Sequence, residues 1–504
     1  MRLQSTSDGA ARWLGPAVLL GVTVAICLMV LMINRGPLYY FDTGSYFKQG
    51  NTALSLILPE AGAGSDAVGQ GAATGEKADT TTDGSRSMVY ALIVAGFWRA
   101  DMLGGVALFH LANLLLAVWL AVRVTGRVIP SGYGTMPMIT LPVLVAATTS
   151  LPFYIAYVMP DIFAPIMLIL IATVVAMGHQ MRPAEWVVAF ALVALAVVLH
   201  PSHLGIAVLM LPFVILAALL RLGSGQGWGR WVAAGFVACL VLIAIGERKA
   251  FEIAVKNVTR KEVTYTPHIT ARLIVDGPGL AYLDDHCPRA DLATCALHEA
   301  LTWSDDPYRM TVSHIIFERT PALGSFRLMT PEDQKAVANE QRAFFFQVLA
   351  DRPFGIAHAL ARNAATQLRM NSVKMTIPSA SVKRNAKSMS GLPEAQLGVL
   401  DGGVLTRSQM WLRIADIIHP AIYLASFVLI TALLLWPGKV APPLKVFAVF
   451  VLIGIALNAL VCGGVSQPAA RYGARVMWLL PFTAAFLILT LPRHKTWFDP
   501  GARS

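Results

Sequence analysis

Apolar residues gather into ten long runs, at roughly 13–33, 102–122, 137–158, 162–178, 186–200, 204–220, 231–246, 416–436, 446–462 and 474–491. A helix needs about 20 mostly apolar residues to cross a bilayer, so the pattern predicts an α-helical polytopic membrane protein with about ten transmembrane helices. Some runs are short for a straight crossing and several are interrupted by Pro or Gly, which membrane helices tolerate. The first run is long and lacks a small-residue cleavage signal, so it reads as an uncleaved anchor. Two polar segments break the series. In 34–101, the stretch 59–87 (PEAGAGSDAVGQGAATGEKADTTTDGSRS) holds almost no large apolar residue and reads as a flexible linker. The run MVYALIVAGFW that follows at 88–98 is too short to span and suits a helix lying on the membrane surface. The segment 247–415 reads as a mostly helical soluble domain between spans seven and eight, with helical periodicity in 334–351 and 354–370. The chain thus divides into a first membrane part (1–246), a soluble insertion (247–415) and a second membrane part (416–504), with no internal repeat.

Composition narrows the class further. Of the 504 residues 56% are hydrophobic and only 14% charged, with a mean hydropathy of +0.60. Soluble domains average about 45–50% apolar and 25% charged, so a soluble enzyme, a disordered scaffold and a nucleic-acid binder are poor readings. Lys and Arg number 40 against 29 Asp and Glu, a net charge of +11. Alternating the spans collects Arg2, Arg12, Arg123, Arg127, Arg182, Arg221, Arg230, Lys439, Lys445, Arg493, Lys495 and Arg503 on one side, opposed only by Asp8, Glu185 and Asp499. By the positive-inside rule that side is cytoplasmic, which puts both termini there and the segments 34–101 and 247–415 outside. Much of the net charge is then a topology signal facing anionic membrane lipids. Ala- and Gly-rich spans and tight loops favour a bacterial inner membrane with a periplasmic insertion. There, Cys287 and Cys295, eight residues apart in HCPRADLATC, suit a disulfide. A zinc site recruiting His286 and His298 is the alternative, although the spacing matches no familiar motif.

The polar residues nearest the membrane all fall at the outer ends of apolar runs. Asp42 stands in GPLYYFDTGSYFKQG with Tyr40, Tyr46 and Lys48; Asp161 follows Pro160 in YVMPDIFAP; His200 and His203 bracket the turn between spans five and six. Arg471, Tyr472 and Arg475 lie in SQPAARYGARVMW between the last two spans. Charges at membrane depth are costly and by default functional. Taken singly, Asp42 reads equally as a solvated interfacial residue, Asp161 as a helix N-cap and the arginines as snorkelling to lipid phosphates. Taken together, they are expected to converge on one pocket. Arg471 and Arg475, spaced i, i+4 against the positive-inside trend, suit an anion.

An Asp among aromatics after the first span, an acid at the turn after the third, and SQPAARYGARVMWLLPF near the end together resemble the membrane glycosyltransferases of the C superfamily. These use polyprenyl-phosphate-linked sugars and include protein mannosyltransferases and aminoarabinose transferases. The likeness covers 1–246 and the last two spans; the insertion matches nothing in it. Where the mannosyltransferases carry Asp-Glu, Asp42 is followed by Thr43. The resemblance implies an inverting transfer from a lipid-phosphate donor to an envelope glycan, lipid or protein. Asp42 would be the general base, Arg471 and Arg475 would hold the phosphate, and Asp161, His200 and His203 would contact sugar or metal. Many such enzymes use a divalent cation (Mg or Mn), and Asp161 with His203 would supply part of its site. Tyr40, Tyr46, Lys48 and Tyr472 would line the substrate site. A transporter or flippase for a lipid or anionic solute is the rival from another class, and a non-catalytic envelope-assembly subunit is a third. Transporters usually repeat their halves and place polar groups near the bilayer midplane.

Overall fold

The computed structural model describes residues 7–40, 42–57, 81–129, 134–223, 227–374, 405 and 410–491. The chain is an α-helical, multi-pass membrane protein. Among the described residues, seven helices are long and apolar enough to cross a membrane: Gly105–Val128, Pro160–Gln180, Pro201–Leu219, Gly227–Thr259, Met410–Leu435, Pro442–Ser466 and Ala470–Leu489. Each overlaps one of the ten apolar runs. The other three runs fall outside that set, for local reasons. Run 13–33 divides at Leu28 into α1 (Ser7–Cys27) and α2 (Met29–Asn34). Run 137–158 divides into α6 (Thr135–Ala147) and α7 (Leu151–Ala156) at Thr148-Thr149-Ser150, where the Thr148 and Thr149 hydroxyls donate to carbonyls three residues back. Such local bonds compete with the helical ladder. The last is α9 (Pro183–Leu199), which starts on Pro183 at its first turn and stops before Pro201.

Between α2 and α6 lie α3 (Thr43–Ile57), a short strand β1 (Thr81–Asp83), α4 (Met88–Arg99) and α5 (Gly105–Val128). Helix α4 covers the run expected to lie on the membrane surface. It pairs with α3, and Tyr90, Ala91, Val94, Ala95 and Trp98 are its buried face. The approach is so close that a Cβ on Gly50 would fall 2.0 Å from the Ala91 carbonyl oxygen. Helix α8 (Phe163–Met177) is the axis of the bundle, because all of its residues are buried. A helix apolar on every face has to be surrounded by others, and α5, α9 and α19 (Pro442–Val461) do so. Gly454 of α19 sits where a Cβ would meet Leu168 at 2.5 Å.

Helix α10 (Pro201–Leu219) leads to α11 (Val232–Thr259), a single helix that runs past residue 246 without a break. Strand β2 (Glu262–Thr264) and helices α12 (His268–Asp276), α13 (Pro278–His286), α14 (Thr294–Leu301), α15 (Val312–Phe317), α16 (Pro331–Asp351) and α17 (Pro353–Arg369) follow. They enclose a second apolar core that includes Leu283, Leu297, Ile315, Phe326, Phe344 and Val348. Helices α16 and α17 fall where the periodicity predicts them. Cys287 and Cys295 are joined as a disulfide, and the Nδ1 of His286 points at the Tyr282 carbonyl. Helix α18 (Met410–Leu435), α19, α20 (Ala470–Met477) and α21 (Leu479–Leu489) complete the bundle. Residues 59–80 of the expected linker, residues 375–404 of the soluble segment and both chain ends, with Arg2, Arg493, Lys495 and Arg503, lie outside the described residues.

Two of the contacts between the helical insertion and the rest of the chain show how closely it is held. The Gln367 side-chain amide of α17 donates to the Ala469 carbonyl at 2.8 Å, and its oxygen accepts from the Ala469 N–H at 2.9 Å. Here glycines are needed: a Cβ on Gly473 would lie 2.0 Å from the Met370 carbonyl oxygen, and one on Gly463 2.7 Å from that of Asn363. The second contact is the parallel pairing of β1 with β2, Thr81 to Glu262 through Asp83 to Thr264.

Candidate functional site

The polar groups at one end of the bundle are brought together by four backbone devices. The segment after α2 pairs with the segment after α7: the Leu38 N–H donates to Ala156 and the Val158 N–H donates to Leu38, both at 2.9 Å. Thr43 Oγ then receives the Tyr40 N–H at 2.9 Å and donates to the Val158 carbonyl at 3.2 Å. This sets Asp42, at the start of α3, beside Asp161, which lies in the turn Pro160–Ile162 ahead of α8. His200 caps α10, its Nδ1 accepting from the Ser202 N–H at 3.1 Å. Finally, α20 is held from behind, as the Tyr154 hydroxyl donates to the Arg471 carbonyl and Ser150 to the Ala474 carbonyl, each at 2.6 Å.

The result is a chain of charges. Arg471 reaches Asp42 through Nη1 at 2.6 Å and Asp161 through Nε at 3.1 and 3.2 Å. Arg475 Nη1 holds Asp161 at 3.0 Å, and its Nε and Nη2 reach Asn458, with Ser202 at 3.0 Å and the Cys462 sulfur at 3.1 Å also on Nη2. Arg86, on the strap between β1 and α4, closes the other side of Asp42. Tyr40 and Tyr472 flank the Arg471 guanidinium at 4.7 and 5.2 Å from their ring centroids, and Arg475 lies 5.1 Å from that of Tyr472. Such faces attract a cation. Three guanidiniums meet two carboxylates, one positive charge in excess.

Exposure separates the members. The Asp161 side chain is 2% exposed, Arg471 4% and Arg475 0%, whereas Asp42 is 19% and Arg86 18% exposed. Burial alone would raise the Asp42 carboxyl, but Arg86 first and Arg471 next outweigh it and hold it down at about 2. A depressed carboxyl adds stability above its unfolded value, near 4, and loses it as pH falls through the folded value. The melting temperature of the chain is therefore expected to exceed that of Asp42→Asn by a constant margin above pH 4. Tryptophan-fluorescence melts should show the margin closing between pH 4 and 2, and a margin unchanged across that window would remove the ion pairs from Asp42.

The remaining candidates divide. His200 joins the cluster, its Nε2 lying 3.5 Å from Arg471 Nη2. His203 packs beside it with its ring tilted, centroids 5.3 Å apart, and Nδ1 at the Ala196 carbonyl. Tyr46 is buried edge-on against Tyr90, and its hydroxyl has no hydrogen-bond partner among the described residues. Lys48 is exposed on α3 and forms no ion pair or hydrogen bond with the cluster among the described residues. The N-cap reading of Asp161 does not hold, since its oxygens accept from guanidiniums. Snorkelling does not hold for Arg471 and Arg475, which are buried. Arg475 contacts Asp161 and not Asp42, so it props Asp161, whereas Arg471 and Arg86 are the two cations on the partly exposed Asp42. Asp161 with His203 is a poor fit for Mg or Mn. Both carboxylate oxygens already take N–H donors from two cations, and no group of three or more His, Cys, Asp or Glu side chains gathers among the described residues.

Arg86, Ser202 and Asn458 were not among the residues picked out from sequence. Asn458 did carry a signal, as a lone amide inside the apolar run 446–462. Fold and site together define a multi-pass helical membrane protein with an arginine–aspartate cluster buried at one end of its bundle. No protein-family model matches the chain, and no curated protein or solved structure is similar to it.

Proposed function

We propose that the chain transfers a sugar from a polyprenyl-phosphate-linked donor to an envelope acceptor at the outer face of a bacterial inner membrane, with inversion and Asp42 as general base. The ten apolar runs would cross the membrane, with both termini in the cytoplasm and the insertion in the periplasm. The observation that carries the reading is the position of Asp42: a partly open carboxylate between two guanidiniums, in a cluster with positive charge to spare.

The chemistry follows from that position. An acceptor hydroxyl gives its proton to a carboxylate oxygen of Asp42 while its oxygen attacks the anomeric carbon. The bond from that carbon to the phosphate oxygen breaks on the opposite face, and the lipid phosphate leaves with the electron pair. Charge develops on the phosphate, where preorganised cations lower the barrier most. Arg471 and Arg86, which donate to Asp42 without a ligand, are the cations a phosphate would face. An arriving phosphate draws their N–H groups from the carboxylate, so donor binding and release of the base are one exchange. Arginine suits it because its planar fork matches carboxylate and phosphate alike. The residues give no support for a resident metal, and no step uses one. A transporter usually repeats its halves, and the sequence carries no internal repeat.

The test is release of polyprenyl phosphate by the purified chain in lipid nanodiscs, given a panel of synthetic polyprenyl-phosphate sugars and envelope extract. Release that needs the extract and yields an inverted glycosidic linkage supports the reading. No release from any donor, together with movement of an anionic lipid across vesicles, would give the chain to transport.

A further inference from the structure

Arg86 comes from a segment that reads as linker, yet it is one of two cations on the carboxylate given the chemical role. The strap that carries it is fastened at every step. Strand β1 pairs with β2, and the Gly84 N–H donates to the Thr264 carbonyl at 3.0 Å. Ser85 Oγ donates to Thr266 Oγ at 3.0 Å and accepts from the Thr266 N–H at 3.2 Å. Ser87 caps α4 by accepting the Tyr90 N–H at 3.3 Å. A Cβ on Gly84 would come within 2.4 Å of Val263, so the strap lies flat on β2. The Arg86 guanidinium is also 5.9 Å from the centroid of Phe317 in α15. The helical insertion thus fixes the strap on one flank, and the bundle fixes it on the other.

We propose that Arg86 is the positioning residue of the site: held by strands β1 and β2, it fixes the Asp42 carboxylate in place until a donor phosphate takes over its N–H groups. Its place in catalysis rests on the reading of Asp42 as base; its effect on Asp42 does not. Arg471 cannot do this alone, because it divides its N–H groups between Asp42 and Asp161. The groups that bear on Asp42 are Arg86 from the strap, Arg471 from α20 and His200 from the α9–α10 turn, with Tyr40, Tyr46 and Asp161 behind them. An opposite charge in contact lowers a carboxyl by about one to three units. With Arg471 remaining, loss of Arg86 is expected to raise Asp42 by about one unit.

A carbodiimide reads this without any knowledge of the substrate, because it adds to the protonated carboxyl and leaves a mass tag. The full chain in nanodiscs is labelled across a pH series and the peptide bearing Asp42 is followed by mass spectrometry. In Arg86→Gln the midpoint of labelling should move up by about one pH unit, while Arg86→Lys, which keeps the charge, should stay within half a unit of the unaltered chain. Arg86→Met, which keeps the aliphatic stem, serves if Arg86→Gln does not fold and should shift alike. Ser85→Ala combined with Thr266→Val loosens the strap without touching a charge and should move the midpoint the same way by less. Coincident curves for the unaltered chain and either neutral variant would overturn the role of Arg86. In the transfer assay, the acid limb of the pH profile should follow the labelling midpoint. A shifted labelling curve with no transfer in any variant upholds the effect on Asp42 and counts only against the transferase reading.

Discussion

Asp42→Asn is expected to leave the chain folded and inserted while lowering sugar transfer by at least about a hundredfold. The amide matches the carboxylate in shape, and Arg471 keeps Asp161 as a counter-charge. What disappears is proton acceptance, for which general bases typically contribute about 10²- to 10⁴-fold. Donor binding should hold or tighten, since Arg86 and Arg471 no longer have to leave a carboxylate to reach a phosphate. Initial rates of polyprenyl phosphate release and a separate donor-binding titration give the two numbers. Full transfer by purified Asp42→Asn would end the assignment.

Asp161→Ala is expected to act on the fold rather than on a single step. The substitution leaves Arg471 and Arg475 buried together with no carboxylate between them. Breaking a buried ion pair by removing one partner costs about 3–5 kcal/mol, against a total stability of about 5–15 kcal/mol for ordinary domains. The yield of monodisperse protein in detergent should collapse, and what is recovered should melt well below the unaltered chain. Arg475→Met should behave alike, because Asp161 then keeps Arg471 alone while Asn458 and Ser202 lose their donor. Normal yield and an unchanged melt for Asp161→Ala would mean that water reaches the cluster.

How much of this was legible in the sequence depends on where the signal is stored. Apolar runs are a local property, and each of the seven long helices could be located from them. Helix ends were less legible: Leu28 breaks a run that stays apolar around it, and the break at 148–150 rests on Thr hydroxyls that bond back to carbonyls three residues away. Asp42, Asp161, His200, Arg471 and Arg475 stood out because a charge or imidazole at membrane depth is rare against an apolar background. Arg86 had no such background. It closes a stretch rich in Gly, Ser, Thr and Asp, where an arginine is unremarkable, and its meaning comes from strand pairing across nearly two hundred residues. The division of labour between the two aspartates was also out of reach, because it rests on a difference in exposure that only packing decides.

The order of synthesis gives the ion pairs a further meaning. Asp161 precedes Arg471 by 310 residues and Asp42 precedes it by 429. At about 5–20 residues per second, the interval for Asp161 is roughly 15–60 s. Through that time the turn ahead of α8 is already in place while both of its counter-charges are still unmade. The seat of α17, Ala469 and Gly473, is likewise made after α17 itself. Insertion of α20 therefore completes the cluster and supplies the seat of α17 together. A chain that stops before residue 470 has most of its spans but leaves Asp161 without its two arginines and α17 without its seat.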